Sequence, residues 1–271
     1  MRSDGAAAER SGGVSPVGGI AFFPLGGEGS PAALLHGFGS DHMLWLANQQ
    51  AIAQVASVAA LDLPGHGNSS TDVGDGAIAA LAERVAELFD RKTMRKAHLI
   101  GHSLGGVVAL VLAEQRPDLV ASLALIAPAG LGRSVDGLFL AEFPRLTTPE
   151  ATAALLQRLV VRPRLINKFM VGRVLDHLAR PGAREALERI AHGIQTSEAA
   201  VARAAASVSR RDVPRLVIWG KEDAISPVSE ERLGMLGGEV LLVDGAGHLP
   251  QVESPRLVNE TIVKFLTQQG A

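Results

Sequence analysis

A serine stands at the centre of a glycine-flanked pentapeptide, Gly101-His102-Ser103-Leu104-Gly105, between two segments of different periodicity. The apolar run of residues 97–100 precedes it, and a helical pattern begins at Leu104. A turn this tight between a strand and a helix forces its central residue into a strained conformation, and small residues two positions before and after it prevent a clash. The helix N-terminus then favours negative charge that develops at the serine. This context predicts that Ser103 is a nucleophile.

A serine hydroxyl attacks efficiently only when a histidine takes its proton and a carboxylate holds that imidazole in the correct tautomer. His248 follows the apolar run of residues 239–243 in a glycine-containing loop that can bring its ring to the end of a sheet. Asp223 follows the preceding apolar run, residues 215–219, and is predicted to be the carboxylate. Two nearby carboxylates remain alternatives, Glu222 and Asp244.

The other histidines fit the role of the base less well. His177 and His192 fall in a long helical stretch and are predicted to be surface or lid residues. His36 ends a strand pattern beside a glycine, which favours a structural role. His66 lies in the turn of residues 64–67, and His42 and His98 have no partner pattern. The sequence contains no H-E-x-x-H motif, so a metal site is not expected.

Acyl transfer also needs two hydrogen-bond donors for the oxyanion of the tetrahedral intermediate. The glycine-rich loop of residues 36–39 follows an apolar run and can aim a backbone N–H into the site. We assign the N–H groups of Phe38 and Leu104 to this role. The side chains predicted to contact the substrate, although the apolar ones would equally suit a local core, are Phe38, His102, Leu138, Phe139, Phe143 and Met170.

The elements that must position these residues alternate between two patterns. Short, continuous apolar runs suit strands buried on both faces of a parallel sheet, and they occupy residues 20–23, 32–35, 55–61, 97–100, 121–127, 215–219 and 239–243. Helical patterns occupy residues 43–54, 78–92, 104–116 and 255–268. The alternation predicts an α/β fold with a mainly parallel sheet and right-handed crossovers.

The alternation stops at residues 131–209, where the sequence is helical throughout and is punctuated by prolines. Helical patterns cover residues 150–161, 164–178 and 183–194. Such an insertion predicts a cap over one edge of the sheet, and caps commonly shape substrate pockets. An extra helical layer without a role in binding is the alternative. Residues 1–19 are predicted to be a flexible leader, and residues 20–130 with 210–271 are predicted to form the core.

Composition narrows the chemistry further. The 271 residues contain 26 Lys and Arg against 28 Asp and Glu, so nucleic acid is not expected as a partner. There is no cysteine, which excludes a thiol nucleophile, a disulfide and a thiolate metal site. No apolar run approaches the roughly 20 residues of a membrane helix, so we expect a cytoplasmic protein that does not bind membranes. A homodimer is left open.

No cofactor is expected. Residues 74–79 fit a G-x-G-x-x-A string, but they follow polar residues rather than a strand, so a pyrophosphate would have no cradle.

The order Ser103, Asp223, His248, with the glycine-rich loop upstream, resembles the α/β-hydrolase superfamily over about residues 32–266. Residues 62–69 resemble the D-x-P-G-x-G-x-S turn of that superfamily, and residues 219–227 resemble its W-G-x-x-D-x-x-x-P acid loop. The resemblance implies an eight-stranded, mostly parallel sheet flanked by helices, with the helical cap inserted after the sixth strand. The haloalkane-dehalogenase branch is not expected, because it carries an aspartate where this chain has Ser103.

A narrower similarity concerns residues 36–41, 101–106 and 124–132, which look like the C-terminal hydrolase-like domain of the acyltransferase component of acetoin-cleaving dehydrogenase complexes. Those proteins carry an N-terminal lipoyl domain, which nineteen linker-like residues cannot form. We therefore expect a stand-alone serine hydrolase that acts on a small carboxylic ester or thioester through an acyl-enzyme. Acyl transfer and carbon–carbon bond hydrolysis are the alternative reactions, and a non-catalytic binding module is the alternative from another class.

Overall fold

The structure is a computed structural model that describes residues 19–270, so the predicted leader lies outside the described residues except for Gly19. Seven strands form one sheet in the order β1-β3-β2-β4-β5-β6-β7. β1 pairs antiparallel with β3, and every other pairing is parallel. The strands are β1 (Ala21–Gly26), β2 (Pro31–Leu35), β3 (Ser57–Asp62), β4 (Ala97–His102), β5 (Val120–Ile126), β6 (Arg215–Gly220) and β7 (Glu239–Val243).

Each strand coincides with one of the seven apolar runs in the sequence. The central strands carry apolar residues continuously because both of their faces are covered; residues 32–35 of β2, for example, are all fully buried. The expected eighth strand is absent from residues 19–270, because the described chain before β2 forms a single strand, β1, at the antiparallel edge. The helical insertion consequently follows the fifth strand of the described sheet, and not the sixth as the resemblance implied.

Helices connect the strands and cover both faces of the sheet. Their bounds are α1 (Gln49–Ile52), α2 (Ile78–Arg91), α3 (Leu104–Gln115), α4 (Gly137–Glu142), α5 (Pro149–Gln157), α6 (Lys168–Leu178), α7 (Ala183–Gln195), α8 (Glu198–Ser209), α9 (Glu230–Leu236), α10 (Pro250–Glu253) and α11 (Pro255–Gln268). Short 3₁₀ turns cover His42–Trp45, Pro117–Leu119, Phe143–Arg145 and Pro163–Leu165.

The helix predicted at residues 43–54 is instead a 3₁₀ turn, His42–Trp45, followed by the short α1. The two are separated at Asn48, whose side-chain amide donates to the Gln251 carbonyl at 3.1 Å and to Asn259 Oδ1 at 2.7 Å. These contacts lie some two hundred residues away in sequence, so a local pattern could not reveal the break.

Two apolar layers hold the sheet from opposite faces. On one face lies α3, of which residues 104–113 are all buried because α2 and α8 flank it. On the other face, apolar side chains of α11 pack with Trp45 and Ile52. A helix that is apolar on every side is typical of such a fully enclosed position.

The segment between β5 and β6 contains α4 to α8 and no strand. Side-chain N-caps fix the starts of three of its helices: Asp136 for α4, Thr148 for α5 and Asn167 for α6. α5 ends at Gln157, four residues before the end of the predicted helical pattern. The chain freed by this early end contacts the His248 loop, as described below.

Candidate active site

Four loops that carry the predicted site residues leave the sheet at the same edge. β2, β4, β6 and β7 run parallel, so the segments that follow their carboxyl ends emerge together. These segments hold Phe38, Ser103, Asp223 and His248 respectively. The sheet topology therefore brings the predicted nucleophile, acid and base to one region.

Ser103 occupies a strained turn between β4 and α3. Its backbone has φ 51° and ψ −111°, a region that residues with a side chain rarely adopt. A Cβ atom on Gly101 would overlap the carbonyl of Gly105, and one on Gly105 would overlap the carbonyl of Leu35. The two glycines are therefore required by the close approach of backbone, as the G-x-S-x-G pattern predicts.

Asp223 and His248 form a buried hydrogen-bonded pair. Nδ1 of His248 lies 2.7 Å from Oδ2 of Asp223, and the Asp223 side chain is completely buried. Oδ1 of Asp223 accepts the N–H groups of Ile225 and Ser226, both at 2.9 Å, and Oδ2 accepts Nε1–H of Trp219 at 3.0 Å. Burial alone would raise the pKa of Asp223, but His248 and the two backbone N–H groups together lower it below its ordinary value.

The two alternative carboxylates make other contacts. Asp244 forms an ion pair with Lys221 at 2.7 Å, and its side chain is exposed. Glu222 accepts the backbone N–H of Ala246 at 3.2 Å. Among the three carboxylates, it is Asp223 that contacts the imidazole of His248.

His102 joins the turn of Ser103 to the loop of His248. Its Nε2 lies 2.9 Å from the main-chain oxygen of His248, and the two rings lie edge to face with centroids 4.9 Å apart. Burial, together with the nearby His248, lowers the pKa of His102 to about 3. The ring is therefore neutral near pH 7, and Nε2 must carry the hydrogen because a carbonyl oxygen can only accept.

The two predicted oxyanion donors flank this turn. Leu104 is the first residue of α3, where a backbone N–H has no partner within the helix. The next amide, that of Gly105, is already taken by the His36 carbonyl at 3.0 Å. His36 also fixes the loop that carries Phe38: its Nδ1 donates to the Gly37 carbonyl at 2.8 Å and its Nε2 accepts from Leu63 N–H at 2.9 Å. His36 thus has the structural role that the sequence favours.

A cavity of about 270 Å³ contains Ser103 and His248 in its wall. Five of the six predicted substrate contacts line it, and they are Phe38, His102, Phe139, Phe143 and Met170. The sixth, Leu138, does not line it: its side chain is 68% exposed. Leu138 and Phe139 are consecutive in the first turn of α4, so when Phe139 is buried Leu138 points away.

His177, which is not among the substrate contacts predicted from the sequence, is buried and lines the cavity. It is therefore not a surface residue, one of the two alternatives predicted for it. It follows Val174 by three positions on α6 and therefore lies on the apolar face that Val171 begins. That spacing was the available signal in the sequence.

Residues 33–261 match the Alpha/beta hydrolase family. The chain belongs to this family. The resemblance to the acetoin system is also confirmed: the chain is 39% identical over 260 residues to the dihydrolipoyllysine-residue acetyltransferase component of the acetoin cleaving system of Pseudomonas putida, covering 92% of this chain and 68% of that protein.

More distant relatives are similar over most of their length. Human monoacylglycerol lipase ABHD6 is 28% identical over 254 residues, covering 86% of this chain and 74% of the lipase. The crystallised meta-cleavage product hydrolase of Pseudomonas fluorescens IP01 superposes with a TM-score of 0.81 at 22% identity, covering 92% of this chain and 94% of that one. The α/β-hydrolase fold is therefore confirmed.

Residues 19–270 lack the features of two other classes of site. None of the helices there combines the length and the apolar composition needed to cross a bilayer. Nor do three or more His, Cys, Asp or Glu side chains in that part of the chain converge on a point where a metal ion could bind.

Proposed function

We propose that this protein is a serine hydrolase that cleaves a small carboxylic ester or thioester through Ser103, His248 and Asp223. The observation that carries the proposal is the 2.7 Å contact between Asp223 and Nδ1 of His248, a residue that lines the same cavity as Ser103. The strained turn at Ser103 supports it, because such strain is commonly found at functional sites. We further propose that residues 131–209 act as a cap that encloses the substrate.

In the proposed mechanism, Ser103 Oγ attacks the substrate carbonyl while His248 Nε2 takes its proton. Asp223 keeps the proton of the ring on Nδ1 and stabilises the imidazolium that forms. The N–H groups of Phe38 and Leu104 stabilise the oxyanion of the tetrahedral intermediate. The intermediate collapses, the alcohol or thiol leaves with the proton from His248, and an acyl-enzyme remains. Water, activated by His248, then releases the acid and regenerates the serine.

The cavity supports a substrate with an apolar acyl part. Its wall includes Phe139, Phe143, Leu156 and Ile194, and these side chains would bury hydrocarbon removed from water. A volume of about 270 Å³ fits a small acyl compound better than a macromolecule.

Acyl transfer is the second candidate, favoured by the 39% identity to a protein named as an acetyltransferase component. The acylation half-reaction would be the same, but a thiol or alcohol would replace water in the second half. Carbon–carbon bond hydrolysis would use the same residues on a ketone substrate.

A fluorophosphonate probe tests the nucleophile. The wild-type protein should be labelled stoichiometrically, and Ser103→Ala should not be labelled. Labelling that persists in the variant would remove Ser103 from the mechanism. A screen of short-chain acyl esters and thioesters, with and without an added thiol acceptor, would separate hydrolysis from acyl transfer by the product formed.

A further inference from the structure

His177 carries an imidazole that the proposed mechanism does not use. It lies on α6 in the wall of the cavity and is 9% exposed. Neither of its ring nitrogens has a hydrogen-bond partner among residues 19–270. Buried polar side-chain atoms in proteins nearly always have a hydrogen-bond partner. An unpartnered atom of a cavity-lining residue therefore indicates that a bound ligand can supply the missing partner.

Two neighbours of His177 also carry unpartnered buried atoms. The ring of His66 stacks parallel to that of His177 with centroids 6.0 Å apart; its Nδ1 donates to the Pro64 carbonyl at 3.0 Å, and its Nε2 has no partner among the described residues. Arg180 donates from Nη2 to the Ser69 carbonyl at 2.9 Å, while its buried Nη1 has no partner in the same part of the chain. Of these three residues, His177 is the one that lines the cavity.

The other polar side chains that α6 and its N-cap contribute to this wall already have partners. Arg173, one turn before His177 on α6, forms an ion pair with Asp41, whose Oδ1 accepts the N–H of Met43 at 2.8 Å. Asn167 accepts the N–H of Met170 as the cap of α6. His177 is therefore the cavity-lining side chain of α6 whose hydrogen-bonding capacity is unused.

The protonation state of His177 defines what it can bind. Burial, and next the positive charge of Arg180, lower the pKa of His177 to about 4. Near pH 7 the ring is therefore neutral and offers one N–H donor and one lone pair. The guanidinium of Arg180 forms no ion pair with a carboxylate among residues 19–270, so its charge favours an electron-rich atom near His177.

We propose that His177 is a specificity residue that donates a hydrogen bond to a second oxygen of the substrate, other than the reacting carbonyl. This inference rests on the proposed function. The oxygen belongs to a keto, hydroxyl or carboxylate group on the acyl part or on the leaving group. The substrate is accordingly an oxygenated acyl compound and not a plain hydrocarbon ester. Apolar side chains elsewhere in the wall, such as Phe139 and Leu156, offer that oxygen no hydrogen bond, which favours one orientation of the substrate.

This role predicts marked discrimination between substrates. A site built to hydrogen-bond a substrate group rejects analogues that lack the group, because its own polar atom then stays unpaired. The wild-type enzyme should therefore favour an oxygenated ester over a hydrocarbon ester of the same chain length by at least about tenfold in kcat/KM.

The experiment compares four variants on matched esters that end in a methyl, a keto or a carboxylate group. His177→Leu should lose the preference, with kcat/KM for the oxygenated esters falling about tenfold or more and that for the methyl-ended ester unchanged or higher. His177→Gln, which retains an N–H donor, should keep most of the preference. The control is His192→Leu on α7, an exposed histidine outside the cavity, which should behave as wild type. Arg180→Met should lower kcat/KM for the carboxylate ester alone if the second oxygen is anionic, and for none of them if it is neutral.

Fluorophosphonate labelling separates this inference from the proposed function. Failure to label the wild-type protein overturns the proposed function. Normal labelling of His177→Leu, with all three esters affected equally, overturns the role of His177 and leaves the serine mechanism intact. Absence of any preference in the wild type has the same consequence. If His177→Leu does not fold, the wild-type preference and its retention in His177→Gln decide the question.

Discussion

Nε2 of His102 donates a hydrogen bond to the main-chain carbonyl of His248 at 2.9 Å. Because His102 directly precedes Ser103, this single contact joins the turn of the proposed nucleophile to the loop of the proposed base. Gly37 leaves room for the His102 ring, since a Cβ atom there would lie 2.6 Å from Nδ1. His102, the residue between the first glycine and the serine of the G-x-S-x-G pattern, therefore helps to position the loop of the base as well as the turn of the nucleophile.

Replacing His102 with phenylalanine should weaken catalysis without removing it. The variant keeps the ring but leaves the buried carbonyl of His248 without its donor, and a neutral hydrogen bond of this kind contributes about 1 kcal/mol. We expect kcat/KM for a given ester to fall by roughly five- to tenfold, and the rate of fluorophosphonate labelling to fall in proportion. Wild-type turnover in His102→Phe would show that the contact does not position the base.

The acid assignment is tested by Asp223→Asn. The asparagine amide would stabilise the wrong tautomer of His248 and cannot balance the charge of the imidazolium, so kcat should fall by up to ~10⁴-fold. The matched control is Glu222→Gln. Glu222 is exposed, and its carboxylate accepts the N–H of Ala246 in the loop that carries His248. That control should remain within a few-fold of wild type. A larger loss for Glu222→Gln than for Asp223→Asn would reverse the assignment.

Most of the fold could be predicted because its signals are local. All seven strands appear as apolar runs, and α3 is visible as an apolar segment because it is enclosed on every side. The position of Ser103 followed from the same logic, since only a strand-to-helix turn explains glycines at those two positions. The existence of the strands and of the turn thus required no knowledge of distant contacts.

What could not be predicted depends on residues far apart in sequence. The choice of Asp223 over Glu222 was open, because it depends on which side chain Trp219 and the backbone of residues 225–226 hold towards His248. The break at Asn48 depends on α11, which supplies Asn259 as a hydrogen-bond partner. Leu138 was misassigned because its helix starts at Gly137, which decides whether it or Phe139 faces inward.

Acid should destabilise the protein well above the range in which carboxylates titrate. His66 is fully buried, and burial lowers its pKa well below the ordinary value of 6.5. Below pH 6.5 the unfolded chain therefore binds a proton that the folded protein excludes, so stability falls as pH decreases. Asp223, with a pKa lowered from 3.8, contributes a loss in the same direction only at lower pH.

Urea unfolding between pH 7 and pH 5 measures this effect. Each buried neutral histidine should contribute up to about 1.4 kcal/mol per pH unit below pH 6.5. His66→Phe preserves the ring stacking but removes one titrating group, so its free energy of unfolding should depend less steeply on pH than that of wild type. An unchanged slope would mean that His66 is not buried in the neutral form.

Glu253 ties the loop of His248 to the segment that follows α5. Its Oε2 accepts Gly247 N–H at 2.5 Å, its Oε1 accepts Val161 N–H at 2.9 Å, and its side chain is fully buried. A second bond between the same two segments runs from His248 N–H to the Leu159 carbonyl at 2.8 Å. Because α5 ends at Gln157, the backbone groups of Leu159 and Val161 are free to bond to His248 and Glu253.

Glu253→Gln should therefore reduce both stability and turnover. The glutamine has one acceptor oxygen in place of two, so one of the bonded N–H groups would face an amide NH₂ and lose its partner, at a cost of about 1–3 kcal/mol in the free energy of unfolding. Because the loosened loop carries His248, kcat should fall while KM changes little. Chemical denaturation and steady-state kinetics measure the two effects, with Glu222→Gln again as the control. A stability loss with unchanged kcat would mean that the second bond, to Leu159, holds the base in place by itself.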